Sequence, residues 1–389
     1  MVYNQREWLA REIVSSDALN NIENGIGDND KRISATADTV NQLISSGVQS
    51  VNNGFKYLTM SVTTGGNSSN QNNFDANINR SKYNLMDYTL VVMNNISGNT
   101  TSDFSMPDSS VITYAISRAQ ENNHKVLMLK PHFGTNWSDG FQRYNYVPDS
   151  SDDFFTNWGA LLMSYAKICD DNNIPILCLS CETVYLFDDK FISKWSDIVN
   201  AIRKSYPKLL LTVAHNAFQK KTTWKIFSLL DYIGINWYPS YTDKVINSIA
   251  DIPDDITMTK FALQNVYSYG TSDFTNDINV FSQLSAIYNK PIMFTEIGVA
   301  PRLGGLATLQ PSDLADSSVT DQYDIVAAAM RVILTYFSSV ENVIGIAWWC
   351  AGKPFNYAPV ATTDTGISNF TSAENDWNRL SEKYYWGNR

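Results

Sequence analysis

Two of the nine glutamates in this chain stand apart from the others by position. Glu182 closes the apolar run 174–182. Glu296 lies in the stretch 291–301, PIMFTEIGVAP, between the turn residues Asn289, Lys290 and Pro291 and the closing Gly298 and Pro301. A short apolar run between turn residues reads as a strand buried on both faces. A carboxylate at the tip of such a strand is costly to desolvate unless a partner or a reaction makes use of it. The other seven, Glu7, Glu12, Glu23, Glu121, Glu341, Glu374 and Glu382, fall in the N-terminal leader or in predicted helices and their flanks. Two carboxylates facing each other across a barrel mouth suit glycosidic bond cleavage. One stays ionised and attacks the anomeric carbon; the other protonates the leaving oxygen and later takes a proton from water. The competing reading of each is an ordinary strand-end Glu that caps a neighbour or pairs with an arginine.

The elements that must position these residues repeat as strand, then helix. Strands are expected at 55–63, 88–94, 125–132, 174–182, 208–215, 232–238, within 291–301, and at 343–350. Helices are expected at 109–122, 153–171, 189–206, 222–230, 277–288, 320–339 and about 373–385. Helix 153–171 carries Phe155, Trp158, Leu162, Tyr165 and Cys169 on one face. Pro207 ends helix 189–206. Short apolar strands with long helical connections indicate an α/β fold with a parallel sheet, and eight repeats fit a (β/α)8 TIM barrel over residues 54–389. An open doubly wound sheet is the alternative, but Gly65-Gly66-Asn67-Ser68-Ser69 does not match its Gly-rich phosphate loop.

In such a barrel the active site lies at the C-terminal strand ends. Those ends carry Lys130 and His132, then Glu182, His215 and Asn216, Trp237 and Tyr238, Glu296, and Trp348 and Trp349. With Trp137, the aromatic members could stack on sugar faces, although each taken singly also reads as core or wall.

The formal net charge is −10 and no basic run occurs, which argues against nucleic acid and against an anionic membrane surface. No segment approaches the roughly 18 apolar residues of a membrane span, and no signal-peptide core is present at the N-terminus, so a chain made and folded in a cytoplasm is expected. Cys178 and Cys181 look like a CxxC. On a strand, residues three apart point to opposite faces, so free buried thiols are expected. No His-x-x-His or Asp cluster of ligand spacing occurs, and neither a metal site nor a cofactor is expected.

Residues 1–53 are polar and Asn/Asp/Ser-rich. Ile26, Ile33 and Val40 fall seven apart, with Gly47 next, and Asp30, Ala37, Ile44 and Val51 form a companion series. That imperfect heptad seam suggests an N-terminal helical, coiled-coil attachment segment forming a homo-oligomer, a trimer, with a solitary helix or a disordered leader as the alternative.

Glu182 and Glu296 at the ends of strands four and seven resemble the clan of retaining (β/α)8 glycoside hydrolases. Within it, MLKPHFGTNW (128–137), DYIGINWYP (231–239) and IMFTEIG (292–298) are most similar to glycoside hydrolase family 113, whose activity is on β-1,4-mannan. The resemblance covers about residues 55–387. It implies Glu182 as acid/base, Glu296 as nucleophile, Tyr238 bonded to the nucleophile, Trp348 or Trp349 as the floor of the sugar site, and Lys130 and His132 lining it. Most of the clan carries Asn before the strand-four Glu; here that residue is Cys181, and family 113 also lacks the Asn, which leaves the sugar open. The segment 18–26, ALNNIENGI, is similar to N-termini of tail and baseplate proteins of phages infecting Gram-positive bacteria. This implies attachment to other tail proteins through residues 1–53 and a place on the virion, acting at the host cell surface. The expected activity is therefore endo-type hydrolysis of a β-mannan-like or host surface or wall polysaccharide. A non-catalytic sugar-binding receptor and a muramidase-like wall lysin are the alternatives.

Overall fold

The computed structural model describes residues 54–66, 71–216, 223–265, 276–340, 342–361 and 369–386. The expected coiled-coil and attachment segment, 1–53, lies outside the described residues. Eight strands alternate with helices: β1 (Tyr57–Thr64), α1 (Gln71–Ser81), β2 (Asp87–Ile96), α2 (Ser109–Glu121), β3 (Val126–Thr135), α3 (Ser151–Asp171), β4 (Ile176–Cys181), α4 (Ile192–Ser205), β5 (Leu210–Ala214), α5 (Ile226–Leu229), β6 (Ile233–Asn236), α6 (Asp255–Leu263), α7 (Asp277–Tyr288), β7 (Ile292–Ile297), α8 (Tyr323–Phe337), β8 (Val343–Trp348) and α9 (Ser372–Tyr384). All the pairings are parallel, in the order β5-β4-β3-β2-β1-β8-β7-β6. The two ends meet through a parallel bridge between His215 and Ile235, with His215 N donating to Gly234 O at 3.2 Å and Asn236 N to His215 O at 2.9 Å. The sheet is therefore a barrel, as its eight repeats predict.

The strands are almost wholly buried because each has the barrel interior on one side and helices on the other. The seam between β5 and β6 depends on Gly234. A Cβ there would come within 1.7 Å of Val213 O, so only glycine lets the two backbones close. Local signals set the helix limits. Ser150 caps α3 by accepting from Asp153 N, and Asn289 closes α7 in the left-handed conformation. At α9, Thr371 and Glu374 form a capping box, and Glu374 also accepts from Arg80 Nε of α1 at 2.7 Å, tying the last helix to the first.

α1 answers the poorly marked helical segment expected after β1, whereas α6 is absent from the sequence reading. The first is marked by little more than Phe74 and Ile78, both buried, in a segment rich in asparagine. β3 continues to Thr135, past the expected end at His132, because Phe133, Gly134 and Thr135 pair with Asn94, Asn95 and Ile96 of β2. Helix 189–206 begins with a 3-10 turn at Asp189–Phe191 before α4 proper.

Candidate active site

Glu296 sits on β7 with a side chain that is almost fully buried. Three strands supply its partners. The Lys130 ammonium, from β3, bonds Oε1 and also donates to Thr295 O at 3.1 Å. The Tyr238 phenol, two residues after β6, donates to Oε2 at 2.7 Å. Cys181 at the end of β4 places its thiol 3.5 Å from Oε1. Lys130 itself is wholly buried, which a lysine tolerates only with a paired charge. Burial disfavours its ammonium, yet the nearby Cys181 and Glu296 outweigh that, and it remains charged.

Glu182 follows β4 directly and adopts φ +57°, a left-handed conformation that costs a non-glycine residue roughly 1–2 kcal/mol. Its backbone N–H donates to Ala214 O of β5 at 2.8 Å, which holds the turn. Its Oε1 accepts from Asn236 Nδ2 at 3.0 Å. The same asparagine accepts from the Thr295 hydroxyl at 2.8 Å, so one side chain links the tip of β4 to that of β7.

The two carboxyl groups are pushed in opposite directions. Burial raises the pKa of Glu182, and the negative charge of Glu296 raises it further, against the opposing influence of Arg143, Asn236 and Lys130. Burial alone would also raise Glu296, but Lys130 and the hydrogen bonds from Lys130 and Tyr238 prevail and hold it below the ordinary carboxylate value. Burial and Glu296 together keep Tyr238 a neutral phenol, able to donate. The pair thus offers an ionised carboxylate beside one biased toward protonation, the division of labour that a double displacement at an anomeric centre requires.

The remaining candidates divide. Trp349 lies in a small cluster with Val91, Met93 and Cys350, against which Trp137 and Tyr238 pack. Its ring centroid is 5.5 Å from Lys130 Nζ, and it stacks on His132 at 6.0 Å and 18°. Trp137 rests over Gly66, where a Cβ would come within 2.3 Å of the indole. Asn216 is buried just beyond β5, with Oδ1 lacking a partner among the described residues. Trp237, Trp348 and His215 are not brought to this group. Trp237 packs on Phe294, Phe281 and Phe337 and donates to Asp277 Oδ2 at 2.9 Å, so its ring faces the helices. Trp348 is fully buried in the main core, and His215 stacks on Phe187 and against Trp224. Strand alternation explains this: where Tyr238 and Trp349 face the mouth, the preceding residue faces the wall.

Four residues near the site were not singled out as site residues by the sequence reading: Asn236, Cys181, Asp139 and Arg143. Asn236 ends a strand and was within reach of the strand-end rule. Asp139 and Arg143 belong to the loop after β3, where that rule does not look. His132 Nδ1 and Asp139 Oδ1 lie 2.7 Å apart, and Arg143 Nη2 donates to the same oxygen at 3.1 Å. All four cysteines are free and buried. The alternation argument for Cys178 and Cys181 is weakened by a register shift between them against β5, and burial pushes the Cys178 thiol up to about 12. A ring nitrogen of His132, Cys181 Sγ and a Glu296 oxygen lie within 4.8 Å of one another, a grouping from three strands that linear spacing cannot reveal. A cation entering there would have to displace the Lys130 ammonium from Glu296.

A parallel eight-stranded barrel with two carboxyls of opposite proton affinity at its strand tips has the architecture of a retaining glycoside hydrolase. The model of Glycoside Hydrolase Family 113 matches residues 81–366, and the chain belongs to that family, whose members cleave O-glycosyl bonds of polysaccharides with retention. Among solved structures it is similar to two of GH113 β-1,4-mannanase, with TM-scores of 0.60 and 0.59 and 16% identity in each, over 85% of this chain and 99% of the other. It is also similar to the GH113 β-mannanase AaManA from Alicyclobacillus acidocaldarius, with a TM-score of 0.58 and 14% identity, over 86% of this chain and 99% of that one. No curated protein sequence matched.

Proposed function

We propose that this chain is an endo-acting glycosidase for a β-mannan-like or host surface or wall polysaccharide, with Glu296 as nucleophile and Glu182 as acid/base. The observation that carries the assignment is the placement of the Lys130 ammonium on Glu296 and not on Glu182. A permanent positive charge on one carboxylate keeps that one ionised, and its negative charge in turn favours the proton on the other. The likeness to GH113 β-1,4-mannanases supports β-1,4-linked mannan as the first substrate to try.

Glu182→Gln and Glu296→Gln in the full chain, assayed on soluble mannans, other β-glycans and purified wall polysaccharide, test the assignment. Loss of internal chain cleavage in both variants is expected. Exogenous azide should restore turnover of an activated aryl glycoside when Glu296 is replaced by Gly, giving a product of inverted anomeric configuration. Unchanged cleavage in both Gln variants would refute the roles. Reducing ends released from peptidoglycan alone would point to a muramidase, and binding without cleavage by the wild type to a receptor.

We further propose that the enzyme is a phage tail component, attached through residues 1–53 as a trimer and acting on the virion at the host cell surface. The support is the segment 18–26 and the heptad series Ile26, Ile33 and Val40. Light scattering on the full chain should give three copies, and mass spectrometry should find the chain in purified virions; a monomer missing from virions refutes this part.

A further inference from the structure

We propose that Asp139 and Arg143 are positioning residues that fix His132 with its hydrogen on Nδ1, leaving Nε2 to accept a hydroxyl hydrogen from the sugar lying against Glu296. This deepens the assignment of Glu296 as nucleophile and rests on it. His132 is fully buried on β3, and its Nδ1 lies 2.7 Å from Asp139 Oδ1. An ionised carboxylate only accepts, so the hydrogen between them belongs to the ring. In the neutral ring Nε2 then carries a lone pair. That atom has no hydrogen-bond partner among the described residues and lies 3.8 Å from Glu296 Oε1. Two acceptors facing each other in a buried site leave a place for a donor, and a sugar hydroxyl at the reacting ring is a donor of suitable size. Asp139 holds the ring at Nδ1 and Trp349 stacks on one face, while Asn94 Nδ2 of β2 donates to the His132 backbone carbonyl at 2.7 Å and steadies the strand that carries the ring.

Arg143 makes this tautomer last. Its guanidinium is buried, donates to Phe133 O at 3.3 Å, and shares Asp139 with the imidazole. The groups around His132 are Lys130 on its own strand, Asp139 and Arg143 on the following loop, Glu296 from β7 and Cys181 from β4, with Trp349 from the end of β8. Protonating the ring would place a third cation beside Lys130 and Arg143 and turn Nε2 from acceptor to donor. Burial, with Arg143, pushes His132 down to about 4 against the pull of Asp139, and Arg143 holds Asp139 ionised despite its own desolvation.

The test uses the full chain labelled with nitrogen-15 at histidine. The chain has three histidines, and His132→Gln assigns the ring. The wild type should show hydrogen on Nδ1 only, with no titration between about pH 8 and about pH 5. Arg143→Met should raise the pKa of the ring by about one unit or more, and the acid limb of kcat/KM should move with it. Arg143→Lys should keep both at wild-type positions. Where Arg143→Met fails to fold, Asp139→Asn replaces it: a mixed tautomer and a plateau lowered about tenfold at every pH are expected. Hydrogen on Nε2 in the wild type, or an unmoved ring in Arg143→Met, overturns the inference. A ring that moves while the acid limb stays put overturns the sugar contact. Expected NMR behaviour with an active Glu296→Gln overturns the nucleophile assignment and leaves the tautomer standing.

Discussion

Lys130→Met isolates what the buried ammonium does for Glu296. The substitution keeps most of the length of the side chain and removes one fully buried charge. Breaking a buried ion pair costs about 3–5 kcal/mol when the remaining charge must stay. Glu296 has another course, which is to take a proton. For a carboxyl with an unfolded pKa of about 4.3, that costs about 1.4 kcal/mol per pH unit, hence at most about 3.7 kcal/mol at pH 7 and about 1 kcal/mol at pH 5. The sign follows. In the wild type Glu296 is depressed, so its contribution is present above the unfolded pKa and is lost only as pH falls through the lower folded value. The wild type therefore keeps this contribution between pH 7 and pH 5, whereas the variant recovers stability as the pH is lowered. Urea unfolding followed by tryptophan fluorescence should show a deficit near 3 kcal/mol at pH 7 that shrinks to near 1 kcal/mol at pH 5. At pH 7 the variant's nucleophile is protonated, and kcat/KM should fall by about a hundredfold or more and rise with pH. A deficit independent of pH, or activity with the wild-type acid limb, would refute the view that Lys130 sets the charge of Glu296.

Tyr238→Phe removes one hydrogen bond to an ionised carboxylate, worth about 1.5–3 kcal/mol, so kcat/KM should fall by up to about 10- to 150-fold and the melting temperature should drop as well. Steady-state kinetics on soluble substrate, with thermal unfolding alongside, read both. Trp349→Ala should raise KM about tenfold or more, because its ring stands beside Lys130 and His132. Trp348→Phe should leave KM unchanged and cost about 1 kcal/mol of stability, since Trp348 is wholly buried and its Nε1 has no partner among the described residues that the substitution would strand.

The barrel was legible because its strands are short, apolar and bounded by turn residues, so eight of them could be counted from pattern alone. The glutamates at the strand tips stood out for the same reason: they interrupt runs that burial would otherwise keep apolar. What pattern could not supply was direction. The pairs Trp237-Tyr238 and Trp348-Trp349 are indistinguishable as sequence, yet in each the first residue goes to the wall and the second to the mouth. Strand alternation dictates that the two differ, but which is which depends on register, and β7 pairs irregularly with both β6 and β8 close to Glu296. Asp139 and Arg143 were missed because their partner, His132, is reached by a loop that folds back on its own strand.

The two glutamates differ in what reaches them. Both are partly or wholly withdrawn from water, and burial alone would raise both pKa values alike. The symmetry is broken by two strands that end in neither glutamate. β3 sends Lys130 to Glu296, and β6 sends Asn236 to Glu182. A cation stabilises only the ionised state, whereas an amide donor is a weaker constraint that leaves Glu182 free to gain and lose a proton. Asn236 also accepts from Thr295, the residue beside Glu296, so the tip proposed to shuttle a proton is tethered to the tip proposed to attack. Where most of the clan places an asparagine before the acid/base, this chain has the Cys181 thiol, 3.5 Å from Glu296 and 3.6 Å from Asn236 Nδ2. A thiol is a weak hydrogen-bonding group and cannot present an amide to a sugar hydroxyl. In the proposed site that recognition falls to other strands, and His132 Nε2 is a buried acceptor without a partner among the described residues.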